Sequence, residues 1–329
     1  MARHPWVAAA DRGIRYGVQV VIGQSSLGEL METGKWIDDL GYDSLFIFDH
    51  PSIQSDPWVC LAALARVTER VRLGSIVNCV PYRPPVHLAR MAADLDNLSQ
   101  GRLVLGLGIG WLKPEFRALG VPFAPAPERY RALREALAII PGVWGSKPFS
   151  YDGEIYQIDA VQIEPPPLQQ PRPPILIGGN GENVTLRLVA EHADACNISE
   201  LQDRGNGQER VGGAETIRHK LDVLRRHCEA AGRPDDEVLR THFTLKLIMA
   251  PSEAALAAKM TRLAAVRSSS PATRRAQPSA FVTGTPASVV AYYQSLVDAG
   301  IQYFVMQIDA NDQETLELFA SEVMPRIQP

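Results

Sequence analysis

Four places along the chain combine residue types and spacings that could do chemistry. The apolar run Ser44–Phe48 closes on Asp49-His50. Titratable residues ending an apolar strand are what proton transfer requires, and histidine changes charge nearest neutral pH. The same pair would also arise if both side chains only held the backbone of the next loop. A second run, Gly74-Ser75-Ile76-Val77-Asn78, ends on an amide that can donate to a ligand or cap its own turn. The third place is Gly106-Leu107-Gly108-Ile109-Gly110-Trp111. Alternating glycines strip one strand face of side chains and let a flat ring approach the backbone. A tight strand exit without a ligand has the same composition. The G-x-G-x-G spacing is not the dinucleotide fingerprint, which has a different glycine spacing and a later acidic residue.

The fourth place is the sharpest: Pro174-Ile175-Leu176-Ile177-Gly178-Gly179-Asn180-Gly181-Glu182-Asn183-Val184-Thr185. A buried strand feeds a glycine-rich turn and then a helix, so free amides and the positive helix end face outward. That arrangement binds phosphate. Thr185 can add a hydroxyl. The Gly-Lys-Ser/Thr ending of a P-loop is absent, and a plain strand-to-helix turn is the alternative. The seven histidines are scattered without metal-ligand spacing, so no metal is expected. No G-x-S-x-G elbow supports acyl transfer by serine.

These residues must be held by a scaffold, and the chain supplies a regular one. Apolar, β-branched runs lie at Ile14–Val20, Ser44–Phe48, Val71–Val77, Arg102–Leu107, Pro174–Gly178, Ala195–Ile198, His242–Met249 and Gln302–Ile308. Short runs apolar at nearly every position are the mark of parallel strands buried on both faces. Helical patterns separate them. Ser26-Leu27-Gly28-Glu29 has the form of a capping box, Asp56-Pro57 an N-cap followed by proline, and Gly41 and Gly101 stop two helices. Pro141 should kink or end early the helix over Glu128–Trp144. Strand and helix alternating eight times predict a (β/α)8 barrel, α/β in class, as one domain over 14–329 after a flexible stretch of 1–13. In such a barrel, ligands bind at the carboxyl ends of the strands, where all four places above fall. Insertions interrupt the rhythm near 149–173, read as a hairpin with an extended return, and at 200–213 and 267–280. The last two are polar, and each is either a lid or an exposed loop with no role.

Bulk properties narrow the partners. The 329 residues, 46% hydrophobic and 21% charged, suit one barrel with insertions. A net charge of −4 with no basic stripe argues against a nucleic-acid partner. No segment has the ~20 apolar residues needed to span a membrane, and the start has no signal-peptide pattern, so a cytoplasmic location is expected. The four cysteines, with no C-x-x-C pair, read as thiols in a reducing compartment.

Several stretches match something more specific. Gly101-Arg102-Leu103-Val104-Leu105-Gly106-Leu107-Gly108-Ile109-Gly110-Trp111 runs on through Glu115-Phe116-Arg117-Ala118-Leu119-Gly120-Val121-Pro122-Phe123. With Asp49-His50, Tyr82-Arg83-Pro84-Pro85, Glu128-Arg129, Gly284-Thr285-Pro286 and Asp298-Ala299-Gly300-Ile301, it resembles the luciferase-like flavin monooxygenase and F420-dependent reductase superfamily. The resemblance is collinear from about Arg15 to Asp309. Pro173 to Gly179 together with Ala193-Asp194-Ala195-Cys196-Asn197 resembles the F420-dependent branch.

That resemblance implies a bacterial-luciferase-like barrel with deazaflavin coenzyme F420, or alternatively FMN, lying across its mouth. Gly179, Asn180, Gly181, Val184 and Thr185 would hold the phosphate, with Gly178 a further coenzyme-binding residue. Ser75, Ile76, Val77 and Asn78, with a non-proline cis peptide at Ile76–Val77, would back the ring beside Gly108 and Gly110. Asp49 and His50 would carry the catalysis, His50 as proton donor or acceptor. A homodimer and a small-molecule substrate are also implied. One departure matters: some F420-dependent dehydrogenases carry a catalytic glutamate directly after the G-x-G-x-G run, where this chain has Trp111. Trp111 can wall a substrate pocket but cannot transfer protons, which disfavours a sugar-phosphate dehydrogenase. Three readings follow: a hydride-transferring F420 oxidoreductase, an FMN monooxygenase supplied by a partner reductase, and a coenzyme-binding paralogue without catalysis.

Overall fold

The eight apolar runs become the staves of one closed parallel barrel in the computed structural model, which describes residues 3–23, 25–203, 208–267 and 280–329. The staves are β1 (Arg15–Val21), β2 (Ser44–Ile47), β3 (Arg72–Cys79), β4 (Leu103–Gly108), β5 (Ile175–Gly178), β6 (Ala195–Ile198), β7 (Leu239–Thr244) and β8 (Tyr303–Asp309). They neighbour one another in chain order, and β8 closes the ring on β1 with Arg15 opposite Tyr303 and Val21 opposite Asp309. Helices cover the outside: α2 (Leu27–Asp39), α3 (Pro57–Val67), α4 (Pro85–Leu98), α6 (Ala126–Val143), α7 (Thr185–His192), α8 (Gly213–Ala230) and a helix over Pro286–Val297. The Ser26–Glu29 capping box forms in full at the start of α2, and Asp56 caps α3. The strands are apolar throughout because one face meets these helices while the other fills the barrel. The interior is packed by residues such as Phe46, Val104, Leu176 and Val305.

Within the stretch expected to be flexible, 1–13, the described residues from Pro5 to Arg12 are helical. Helix α1 (Pro5–Ala8) stops the amino end of the barrel, with Trp6 only 1% exposed and part of the interior cluster. Its indole meets the Tyr303 ring edge-on at 5.6 Å, and the Arg15 guanidinium lies over both rings while donating to the Trp6 carbonyl.

Two further expectations change. The seventh stave was read as His242–Met249, but the barrel strand starts at Leu239 and ends at Thr244. The chain then turns through Lys246, at φ 54°, and Leu247–Met249 pairs with Val282–Gly284 outside the barrel. The apolar run is continuous in sequence because both pieces are buried, in two different places. Helix α6 also runs past Pro141 to Val143 rather than ending there. The missing amide falls in the last turn, where Ile139, Ile140 and Val143 are all buried and hold it by packing.

The insertion at 149–173 contains the expected hairpin, Phe149–Asp152 against Gln157–Val161. Within 200–213, Leu201–Asp203 pairs antiparallel with Gln208–Arg210. The stretch read as a loop over 267–280 lies almost wholly outside the described residues. One irregularity reaches the mouth directly: the β3–β4 register shifts between Ser75 and Asn78, where the Ile76–Val77 peptide is cis.

Candidate active site

The carboxyl ends of the strands open on a cavity of about 370 Å³. On one side the chain leaves β2 through Phe48, Asp49 and His50. Helix α5 (Lys113–Ala118) follows β4 and brings Glu115 to meet them. His50 Nδ1 lies 2.5 Å from Glu115 Oε2. The Tyr82 hydroxyl donates to the same oxygen at 2.9 Å, and Ser52 donates to the other through its amide and its hydroxyl. Burial pushes the Glu115 carboxyl up, but hydrogen bonding and charge from His50, with the Ser52 and Tyr82 hydroxyls, outweigh it and hold the group below the usual carboxylate range. Glu115 is therefore ionised at neutral pH and can only accept. Nδ1 of His50 must carry the hydrogen between them. That leaves Nε2, which bonds no other described residue, as the nitrogen free to take up a proton.

Asp49 behaves differently. Its Oδ2 accepts from the Cys79 amide at 2.9 Å and from Arg83 at 2.7 Å, tying the exit of β2 to the end of β3. Its Oδ1 is buried without a partner among the described residues. Burial raises the Asp49 carboxyl against the opposing pull of Arg83. The backbone-holding role open from sequence is thus realised in one of its two oxygens.

The glycines in the floor of the cavity are there for a steric reason. A Cβ on Gly108 would stand 2.6 Å from Val77 Cγ2, and one on Gly178 would stand 2.8 Å from Val77 Cγ1. Only glycine lets three neighbouring strands come level there. Gly110 and Trp111 continue the wall, with the exposed Trp111 ring edge-on to His50 at 6.0 Å. Of the four residues expected to back a ring, Ile76 and Val77 line the cavity. Ser75 and Asn78 are buried behind them, and Asn78 donates to the Gly106 carbonyl at 2.8 Å. The odd-even alternation of a strand separates the pairs once the register has shifted. Below, Gln307 donates to Gln19, which donates to the Ile76 carbonyl.

At the far side, Gly179 takes φ 142° and leads to the amino end of α7. The Thr185 and Tyr130 hydroxyls meet at 2.7 Å, and both line the cavity. Gly181 sits against that pair, where a Cβ would come 2.8 Å from the Thr185 oxygen. Two of the expected phosphate-holding residues have their side chains engaged within the protein. The Asn180 side chain is committed to Ser199 and to the Leu201 carbonyl, which leaves only its backbone amide for a ligand. Val184 packs into the main core. Lys220 donates to the Asn180 carbonyl and His227 to that of Glu182, which holds the turn from behind.

The arrangement suits a planar ring with a phosphate: a floor of glycines packed by Val77, an imidazole beside it, and hydroxyls and amides at a helix start. Glu115, Tyr82 and Tyr130 were missed as site residues by sequence reasoning. The first two stand inside the motifs that carried the family resemblance, and Tyr130 follows one directly, so the motifs themselves were the available signal. Among the described residues, no three His, Cys, Asp or Glu side chains group as a metal site, and no helix is long and apolar enough to cross a membrane.

Known proteins are similar to this chain. The F420-dependent glucose-6-phosphate dehydrogenase of Microbacterium testaceum is 28% identical over 96% of this chain and 98% of its own length. The FMNH(2)-dependent dimethylsulfone monooxygenase of Pseudomonas putida is 34% identical over a shorter stretch, 36% of this chain and 32% of that protein. The coenzyme F420-dependent tetrahydromethanopterin reductase of Methanopyrus kandleri has the same fold, with a TM-score of 0.79 at 20% identity over 96% of this chain and all of that one. The model of the luciferase-like monooxygenase family matches residues 7–303, most of the chain. By that match the chain belongs to the luciferase-like monooxygenase family.

Proposed function

We propose that this protein is an oxidoreductase moving a hydride between coenzyme F420 and a small organic substrate, with His50 exchanging the accompanying proton. The observation that carries the reading is the His50–Glu115 pair, which leaves Nε2 free beside a strand floor that only glycine permits. Full-length similarity to an F420-dependent dehydrogenase supports F420 over FMN.

In this reading, Ile76, Val77, Gly108 and Gly178 hold the ring. Thr185, Tyr130 and the amides from Gly179 to Gly181 hold the phosphate at the positive end of α7. The coenzyme, when bound, supplies two-electron hydride chemistry, so the protein need only orient, exclude water and move one proton. Phe48 and Trp111 shield the reacting face. His50 takes the proton through Nε2, and the Glu115 carboxylate stabilises the imidazolium that results. Asp49 acts as a strut that fixes His50 relative to β3.

Titrating the protein with F420 and with FMN, following ligand fluorescence, tests the coenzyme. His50→Ala should keep F420 affinity and lose at least ~10-fold in kcat; a wild-type rate in that variant removes the role of His50. The match to an FMNH(2)-dependent monooxygenase favours a second reading, FMN chemistry fed by a partner reductase. Tight FMN binding with none for F420 would establish it.

A further inference from the structure

Resting on the F420 reading above, we propose that the substrate is a neutral alcohol with an apolar flank, or its carbonyl counterpart, and not a phosphorylated sugar. Beside the proton-exchanging nitrogen the cavity is hydrocarbon. The Phe48 ring meets His50 at 5.1 Å and the Trp111 ring at 6.0 Å. Trp111 is 54% exposed, a large apolar surface left uncovered at the point of reaction. Strand order sets β6 and β7 across the barrel from β2, and their exits carry Leu201, Phe243 and Leu245 into the same cavity. A substrate that reaches His50 therefore lies between apolar walls, and a hydrocarbon flank gains from covering them.

Charge points the same way. Among the described residues, no lysine or arginine lines the cavity, and the ionic groups at His50 are the carboxylates of Glu115 and Asp49. Three cations at this end of the barrel are engaged elsewhere. Arg83 pairs with Asp49 and Asp56, Lys246 pairs with Asp309, and Arg129 donates to the carbonyls of Ile109 and Gly110. The helix start that suits phosphate is taken by the coenzyme. Among the described residues, a phosphate on the substrate would find no second such site and would face the buried Asp49 carboxyl. The Gln19 and Gln307 amides offer uncharged hydrogen bonding to one polar group.

The chemistry balances with the coenzyme alone. The carbinol C–H bond breaks, its electron pair leaving as hydride to oxidised deazaflavin. The O–H proton passes to His50 Nε2 and the C=O bond forms. In reverse, reduced deazaflavin gives the hydride and His50 the proton.

The full-length protein with oxidised F420 should be assayed with cyclohexanol, glucose and glucose 6-phosphate, three donors for the same reaction direction. Cyclohexanol should exceed glucose 6-phosphate in kcat/KM by about 100-fold. Leu245→Arg should narrow that ratio by about tenfold. As a readout independent of turnover, cyclohexanone should raise the Tm of the coenzyme-loaded protein and glucose 6-phosphate should not. Equal or better use of glucose 6-phosphate overturns the proposal, and so does absence of cyclohexanol turnover by protein that binds F420. Failure to bind F420 in the titration strikes the underlying reading instead and takes this proposal with it.

Discussion

In the proposed reaction the His50 imidazole gains and loses a proton in each cycle, which works only if its other nitrogen is held, because a wrong tautomer puts the lone pair where no substrate lies. Glu115 supplies that hold, and its own position is fixed by Ser52 and Tyr82. Glu115→Gln keeps the shape but lets the side chain present either a donor or an acceptor to Nδ1. We expect kcat to fall ~10-fold or more while F420 affinity stays within about twofold. Fluorescence titration and steady-state rates together check the split; loss of affinity in step with rate would mark Glu115 as merely structural. His50 was legible in the sequence because it closes an apolar run. Glu115 was not, since sequence spacing gives no distance between the exits of β2 and β4. Only ring closure puts α5 over His50.

Among the elements, the staves were readable wherever burial on both faces made a run uniformly apolar, and misread where two buried pieces abut, as at β7 and Leu247–Met249. Other polar side chains tie these elements together. Arg102 donates to the carbonyls of Ala65, Thr68, Val71 and Ser99, while Asp38 accepts the amides of Glu69, Arg70 and Val71. The exit of β6 depends on another such anchor. Glu200 lies 2.6 Å from His242 Nε2 and accepts the Tyr292 hydroxyl, and Arg210 covers the Tyr292 ring. Burial pushes the Glu200 carboxyl up, but the hydrogen bond and charge of His242, with the Tyr292 hydroxyl, bring it down to about 2. An acid whose folded pKa is depressed contributes stability above its unfolded value, near 4.3, and loses that contribution as pH falls toward the folded value. Urea unfolding at neutral pH should therefore find Glu200→Gln less stable than the wild type by roughly 2–3 kcal/mol, a gap that narrows as pH drops from about 4.5 to about 2. A gap unchanged across that range would refute the anchor.

For the whole molecule, the eight-fold alternation was plain because parallel strands require helical returns, and the same alternation placed the site at one rim. The stopper at the opposite rim was invisible. A four-residue helix has too few turns for periodicity, and nothing local marks Trp6 as the partner of Tyr303. Its loss should be felt globally. Trp6→Ala leaves a cavity among β2, β4 and β8 side chains and should cost about 3–5 kcal/mol in urea unfolding. Trp6→Phe should cost far less, since the indole N–H has no partner among the described residues. A change below ~1 kcal/mol in the alanine variant would mean the barrel floor is sealed without it.

The stopper also sets an order of events in time. Trp6 is made almost the whole chain earlier than Tyr303, and β1 waits equally long for its neighbour β8. Until β8 is made, the indole lacks Tyr303 and Val305, and the ring has no seam. Both are completed by one late event, the arrival of the final stave.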